Sequence, residues 1–229
     1  MSVTLTDVLP WGRSLDEYRR LFDLTDDDLA SRILGCGDGP ASFNAELTAM
    51  GGSVVSIDPL YGLSREEIES RVEQTYDSII SQVKEKIDDF IWDYFDDPDQ
   101  LGLHRMACMR KFLDDYPVGL AENRYSAQAL PSLNFDDGRF DLGLCSHLLF
   151  LYSDQLPFDF HRDSIRELCR VAREVRIFPL LGLDCRLSPH VEPIREHFTD
   201  GGYDVEICAV PYEFQKGGNH MMKIRRGAD

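Results

Sequence analysis

A glycine-rich turn between two apolar segments constrains the fold of this chain more than any other sequence feature. Residues 35–39 read Gly-Cys-Gly-Asp-Gly, and a helix-like stretch and a second apolar segment that ends at Asp58 follow them. Glycines at such a turn remove the side chains that would hold the backbone away from a ligand and the next helix away from the sheet. An acid about twenty residues on, at the end of the second strand, can accept hydrogen bonds from ribose hydroxyls. The segment therefore predicts a βαβ unit with a nucleoside-cofactor site.

The spacing of the glycines discriminates between classes of cofactor. A dinucleotide fingerprint has its third glycine three positions after the second, but Pro40 stands there and Gly39 comes one position early. Gly-Cys-Gly-Asp-Gly instead resembles motif I of the class I S-adenosylmethionine-dependent methyltransferases. The segment Phe-Asp-Leu-Gly-Leu-Cys-Ser-His, residues 140–147, is similar to the fourth strand of that family, which ends beside the transferable methyl group.

The resemblance implies a doubly wound α/β fold, in which a mostly parallel seven-stranded sheet ends in an antiparallel hairpin. The length suits one such domain, residues 1–229. Helices are predicted after the cap-like Ser14 and Thr25. Strands are predicted at 32–34, 54–57, 123–126, 140–145, 174–180, 204–210 and 220–226.

A helical insertion is predicted after the second strand, between about residues 61 and 122. Apolar residues recur every three or four positions over 64–95, which predicts one continuous amphipathic helix. The acidic pair before Pro98 is expected to end it, and a second helix is expected from about 101 to 113, before Pro117. The apolar stripe would pack on the domain or on a partner helix, or serve as a lid over the substrate. A coiled-coil dimer is a third alternative, although the steps fit a straight helix better than heptads.

The resemblance also implies which residues hold the cofactor, on the loops that follow the strands. The glycine loop would hold the methionine and sugar portions, and Asp58 would bind both ribose hydroxyls; the alternative is that Asp58 is a helix-capping or turn aspartate. Asp38 is either part of this site or a side chain that stabilises the turn. The cofactor-binding residues implied are Gly35, Cys36, Gly37, Asp38, Gly39, Asp58, Ser126, Ala127 and Cys145.

Methyl transfer from a sulfonium is an in-line displacement, for which positioning supplies much of the catalysis. If the nucleophile must lose a proton, His147 at the end of the fourth strand is the best-placed catalytic base; otherwise it is a hydrogen-bonded histidine that caps the strand. Tyr61, Tyr152 and Tyr212 fall near the ends of strands and are candidates either for substrate binding or for packing. The other histidines are dispersed and form no His-Glu-x-x-His motif, so no metal site is predicted.

Composition limits the class of partner. The chain has 41 acidic and 24 basic residues and a net charge of −17, so its surface repels nucleic acid and anionic membranes. Its six cysteines form no Cys-x-x-Cys pair and are interpreted as reduced thiols. No apolar run approaches the roughly eighteen residues of a membrane span. We expect a soluble, cytoplasmic protein; its oligomeric state is not readable from the sequence.

Together these features predict an S-adenosylmethionine-dependent methyltransferase that acts on a small-molecule acceptor. The alternative is a binding or regulatory protein that keeps the fold but has no transferase activity. Ile33 and Ser126 favour this alternative, because they stand where the family often has acids. An enzyme that uses the same cofactor for another outcome also remains open, whereas a nucleic-acid methyltransferase is disfavoured by the charge.

Overall fold

One seven-stranded sheet organises the part of the chain that the computed structural model describes, residues 11–227. Its strands are β1 (Arg32–Cys36), β2 (Ser53–Ile57), β3 (Tyr125–Ser126), β4 (Phe140–Ser146), β5 (Ala172–Phe178), β6 (Tyr203–Ala209) and β7 (His220–Arg226). They lie in the order β3-β2-β1-β4-β5-β7-β6. The first five strands are parallel, and β7 runs antiparallel to both β5 and β6. The mostly parallel sheet and its final antiparallel hairpin confirm the sequence prediction.

Seven α-helices accompany the strands within the described range. They are α1 (Leu15–Leu21), α2 (Asp26–Leu29), α3 (Phe43–Ala49), α4 (Arg65–Glu85), α5 (Pro98–Ala121), α6 (Phe158–Val171) and α7 (Val191–Asp200). Capping boxes start α1 at Ser14, α2 at Thr25 and α4 at Ser64, because each cap hydroxyl and an acid three residues later satisfy free backbone N–H groups. None of these helices combines the length and the apolar character that crossing a membrane requires.

Hydrophobic cores lie on both faces of the sheet. Successive residues of β1 show this, because Ile33 packs in the cluster that contains α1 and α3, and Leu34 packs in the cluster that contains α6 and α7. Alternation of this kind is what a parallel strand covered on both sides requires. The sheet order reverses between β1 and β4, so the carboxyl ends of these two strands flank the crevice where ligands of such folds bind.

The prediction of one continuous helix over residues 64–95 is wrong beyond Glu85, where α4 ends. Phe90 instead forms an isolated β-bridge with Gln215 and stacks on Phe214, with 4.6 Å between ring centroids. The amide of Ile91 donates to the carbonyl of Phe214 at 2.8 Å. The hairpin loop before β7 thus supplies hydrogen bonds and an aromatic surface that compete with a further helical turn.

The second predicted helix is longer than the sequence pattern indicated. Asp97 caps α5, with Pro98 at its first position, and the helix continues through Pro117. Proline leaves the carbonyl four residues earlier without its helical donor. Here the Arg65 side chain donates from Nε to the Leu113 carbonyl at 3.1 Å, so the helix continues without an unpaired acceptor.

Candidate functional site

The glycine loop and Asp58 are joined directly at the carboxyl ends of β1 and β2. Gly37 and Gly39 have φ angles of +71° and +53°, a conformation that favours glycine. The Asp58 carboxylate accepts from the Gly39 amide at 3.0 Å through Oδ2 and from the Leu60 amide at 2.8 Å through Oδ1. Burial raises the pKa of Asp58. The acid therefore holds the loop against the end of β2, and each of its oxygens keeps a further lone pair.

Asp38 belongs to this loop, and its buried side chain is held by two protein hydroxyls. Its carboxylate accepts from the hydroxyls of Tyr18 and Ser56, each at 2.6 Å. A Cβ at Gly35 would come within 1.9 Å of Asp38 Oδ2, so the first glycine leaves room for this side chain. Burial, which outweighs these hydrogen bonds, raises the pKa of Asp38 to about 7. The carboxylate connects the loop to α1 and β2.

The other residues proposed for the cofactor divide into two groups. Ser126 and Ala127 lie beside Asp58, whose amide donates to the Ser126 carbonyl at 3.2 Å. Cys36 and Cys145 are register partners on β1 and β4, and both thiols are buried in the core. A hydrogen bond with the Cys145 side chain, followed by burial, raises the pKa of Cys36 well above its ordinary value.

His147, directly after β4, has a neutral ring at the mouth of the crevice. Its φ of +50° is uncommon outside glycine, and its amide donates to the Phe178 carbonyl at 2.7 Å. Ring Nδ1 lies 3.0 Å from Ser146 Oγ, and Nε2 makes no hydrogen bond to any residue in 11–227. Burial, followed by the charges of Arg13 and Arg105, lowers the pKa of His147 well below its usual range. The ring is therefore neutral near pH 7, which leaves one nitrogen unprotonated and available as a general base, and the lowered pKa makes it a weaker base than an ordinary histidine.

A cavity of about 200 Å³, which we call the aromatic cavity, opens beside His147 at the carboxyl ends of β4 and β5. Four distant stretches build it: the segment before α1, the end of α4 with the residues that follow, the turns after β4 and β5, and the loop between β6 and β7. The rings that line it belong to Trp11, Phe90, Phe178, Tyr212 and Phe214. The charged and amide side chains at its walls are Arg13, Gln82, Lys86, Asp89 and Gln215.

The three candidate tyrosines occupy different places. Tyr212 lines the aromatic cavity with His147, and its hydroxyl donates to Glu17 at 3.2 Å. Tyr61 instead donates to the Gly39 carbonyl at 2.7 Å and packs with the aromatic side chains of α5. Tyr152 is buried in the short 3-10 turn after β4 and is not among the residues that line the cavity. The fold thus brings Tyr212 and His147 together and places Tyr61 at the glycine loop.

A buried charged cluster below the cavity was missed by the sequence analysis. Ligand-type atoms of Glu17, His104 and Cys108 lie within 4.8 Å of one another, a grouping that could hold a metal ion. However, the Glu17 carboxylate already accepts from Arg105 Nη1 at 2.5 Å and lies 3.1 Å from His104 Nε2. Hydrogen bonds to Cys108 and Glu17 raise the pKa of His104 to about 9. The charge of Glu17 is thus balanced by protein cations, which a metal would have to displace.

No sequence motif signals this cluster or Arg13. Glu17 and His104 lie on separate helices with no fixed spacing between them, and only the packing of α1 against α5 joins them. Arg13 and Trp11 precede the first helix cap, where no periodic pattern assigns a side chain to a site. To find the cluster from the sequence, one would have to know that the buried Arg105 guanidinium and the buried Glu17 carboxylate pair across the fold.

Comparison with known proteins gives one close sequence relative. The chain is 34% identical over 225 residues to the uncharacterized protein MJ0045 of Methanocaldococcus jannaschii. The aligned residues cover 98% of this chain and 99% of that protein. No family model matches the sequence.

Several solved structures have a similar backbone. Magnesium protoporphyrin IX methyltransferase from Synechocystis PCC 6803, with bound SAM, is 15% identical, with a TM-score of 0.46 over 88% of this chain and 73% of that one. A putative S-adenosylmethionine-dependent methyltransferase from Methanococcus maripaludis is 12% identical, with a TM-score of 0.44 over 94% and 84%. A putative RNA methyltransferase from Pyrococcus horikoshii is 8% identical, with a TM-score of 0.40 over 88% and 79%.

Proposed function

We propose that this chain, which belongs to the family of the Methanocaldococcus jannaschii protein MJ0045, is an S-adenosylmethionine-dependent methyltransferase that acts on a small-molecule acceptor. The observation that carries the proposal is the hydrogen bond from the Gly39 amide to Asp58, which joins a glycine loop and an acid at the point where the strand order reverses. His147 and a cavity lie beside the same crevice, as a second substrate requires.

The residues present fit the nucleoside part of this cofactor. A Cβ at Gly39 would lie 3.9 Å from Asp58 Oδ2, so the glycine keeps the space beside the carboxylate open. Asp58 would accept from the two ribose hydroxyls with its remaining lone pairs. The glycine loop would hold the methionine and sugar portions, and Ser126 and Ala127 would contact the base. Cys36 and Cys145 would contribute backbone atoms.

In this proposal the cofactor, when bound, supplies a methyl group on a positively charged sulfur. The chain positions the acceptor in the aromatic cavity, whose rings exclude water. His147 takes a proton from the acceptor at Nε2, which requires that Nδ1–H donates to Ser146 Oγ. The end of α4 forms one wall of the cavity, which supports the role of the predicted insertion in shaping or covering the acceptor site.

Calorimetric titration of the purified protein tests the cofactor. We expect micromolar binding of S-adenosylmethionine and S-adenosylhomocysteine and no binding of NAD. Silence toward the first two would overturn the proposal. Binding without turnover across a broad acceptor panel would favour a binding or regulatory protein. Ile33 fits that outcome, because it is buried in the core where class I methyltransferases often have an acid.

Replacement of Asp58 tests the residue on which the site depends. Asp58→Ala removes the acceptor for ribose hydroxyls and for the Gly39 amide, and we expect affinity for S-adenosylhomocysteine to fall by about 1–3 kcal/mol. Asp141→Ala is the matched control, because this acid pairs with Arg32 at the opposite end of β4. Equal affinities for the Asp58 variant and the wild type would remove Asp58 from the site.

A further inference from the structure

The aromatic cavity contains a cation that the protein does not neutralise. Arg13 lines the cavity, and its Nη1 donates to the Trp11 carbonyl at 3.1 Å. Its Nε is buried and has no hydrogen-bond partner. Among residues 11–227, no carboxylate lies within ion-pair distance of this guanidinium. A guanidinium N–H that is buried without an acceptor is costly unless something else supplies one.

The surroundings of Arg13 have an excess of positive charge. Glu17 is the acid that attracts Arg13 most strongly, but the same carboxylate is already held by Arg105, Tyr212 and His104. Two guanidinium groups, those of Arg13 and Arg105, therefore compete for one buried carboxylate, and of the two only Arg105 forms an ion pair with it. Asp89 is the acid at the cavity wall, and its side chain is exposed to solvent.

The rest of the cavity indicates the body of the ligand. Phe90, Phe178 and Phe214 present aromatic rings, which favour a flat apolar molecule. Neither the glycine loop nor Asp58 is among the residues that line the cavity, whereas His147 is. The cavity is therefore adjacent to the proposed cofactor site and distinct from it.

We propose that the acceptor is a small carboxylate with a flat apolar body, and that Arg13 binds its carboxylate. A guanidinium presents two parallel N–H donors that match a carboxylate in geometry and charge. The aromatic rings hold the body of the acceptor, so that its nucleophilic atom faces His147. That the bound carboxylate is the methyl acceptor rests on the proposed function. The preference of the cavity for an anion can be measured without any cofactor.

Binding of a matched pair of probes tests the proposal. The probes are 4-hydroxybenzoate and 4-hydroxybenzamide, which differ in charge and hardly in shape. Binding is followed by calorimetry, with and without saturating S-adenosylhomocysteine. We expect the wild type to bind the carboxylate at least about tenfold more tightly than the amide, because a hydrogen bond to a charged group is among the stronger polar contacts.

Variants locate the preference. Arg13→Gln should abolish it, and Arg13→Lys should keep part of it, since lysine keeps the charge without the planar fork. Lys84→Gln is the control and should retain the preference within about twofold, because Lys84 is not among the residues that line the cavity and forms an exposed ion pair with Asp99. Thermal melts confirm that each variant is folded.

The outcomes separate this inference from the proposed function. Equal binding of the two probes, binding of neither at about millimolar concentration, or a preference that survives in Arg13→Gln would overturn the carboxylate site. A loss of S-adenosylhomocysteine affinity in Arg13→Gln, with the probe preference intact, would also overturn it by assigning Arg13 to the cofactor. An Arg13-dependent preference in a protein that binds no S-adenosylhomocysteine would support the carboxylate site while the methyltransferase proposal fails.

Discussion

At the scale of single residues, the charged groups below the crevice are organised around Glu17. Its side chain is fully buried and accepts from Arg105 at 2.5 Å, from Tyr212 at 3.2 Å and from its own helix cap at 3.1 Å. Arg105 Nη1 also donates to the Gly12 carbonyl at 3.3 Å. One carboxylate thus connects α1, α5, the hairpin loop and the segment before α1, and the last two of these line the aromatic cavity.

Glu17→Gln should be strongly destabilising, because it leaves the buried Arg105 guanidinium without its counter-charge. We expect the free energy of unfolding to fall by about 3–5 kcal/mol, measured by urea denaturation. Lys84→Ala is the control, because Lys84 forms an ion pair with Asp99 that is exposed on both sides; its loss should cost less than about 1 kcal/mol. Losses of the same size in the two variants would contradict this ranking.

Asp38 should make stability depend on pH in a recognisable direction. Its pKa in the folded chain is about 7, above the value near 3.9 of a free aspartate. Between these two pH values the folded chain holds a proton that the unfolded chain has lost. The stabilising contribution is therefore complete below about pH 4 and is lost as the pH rises to about 7.

The Asp38→Asn variant has no carboxyl group at this position to ionise. The free energy of unfolding should therefore depend less steeply on pH in this variant than in the wild type. The difference in slope over this window should approach, and not exceed, about 1.4 kcal/mol per pH unit. Urea denaturation at half-unit pH intervals measures it. If the two slopes coincide from pH 4 to 7, Asp38 ionises in the folded chain as an ordinary aspartate does.

At the scale of elements, local sequence signals predicted the ends that depend on neighbouring residues alone. Capping boxes at Ser14 and Thr25 were read correctly, because each cap is satisfied within four residues. The end of α4 was not, since the apolar spacing continues to Tyr94 whereas the helix stops at Glu85. Whether Phe90 continues a helix or pairs with Gln215 depends on a loop more than a hundred positions later, which periodicity does not encode.

The pairing of Arg65 with α5 explains how a helix continues past Pro117, and it can be tested by a double-mutant cycle. Arg65→Met removes the donor to the Leu113 carbonyl, and we expect a loss of about 1 kcal/mol in the free energy of unfolding. In a Pro117→Ala background the restored backbone N–H satisfies that carbonyl. There the same substitution should cost measurably less.

Denaturation of the four proteins gives the coupling free energy. Because Arg65 also pairs with Glu69 along α4, Glu69→Gln in both backgrounds measures that ion pair separately. A cost of Arg65→Met that is identical with and without Pro117 would show that the helix does not need the side-chain donor.

At the scale of the whole molecule, the mostly parallel sheet and its final antiparallel hairpin were predicted from the sequence, whereas the aromatic cavity was not. The glycine loop, Asp58 and the strand that ends at His147 are adjacent in a parallel sheet by the rules of that fold. Arg13, Phe90 and Phe214 come from segments without regular structure, and only tertiary packing brings them together. The sequence therefore indicated that the glycine loop and Asp58 lie together, but not which residues line the aromatic cavity.

The net charge of −17 should make stability depend on salt. Mutual repulsion among acids disfavours the compact state, and screening over about 3 Å at 1 M salt, against about 10 Å at 0.1 M, relieves it. Exposed ion pairs also weaken, but each is worth only about 0–1 kcal/mol. We therefore expect the melting temperature, followed by circular dichroism at constant pH, to rise as KCl increases from about 0.05 to about 1 M.

A sucrose series, which adds no screening, is the control for the salt series. A melting temperature that falls with KCl would mean that the exposed ion pairs outweigh the repulsion.

The bridge between Phe90 and Gln215 connects the stretch after α4 to the loop before β7, and both line the same cavity. A molecule that fills this cavity touches the first described residues of the chain and nearly the last. Binding of such a molecule should therefore stabilise both segments together. Amide hydrogens near positions 87–92 and 211–218 should exchange with solvent more slowly, and to the same degree, although more than a hundred residues separate them along the chain.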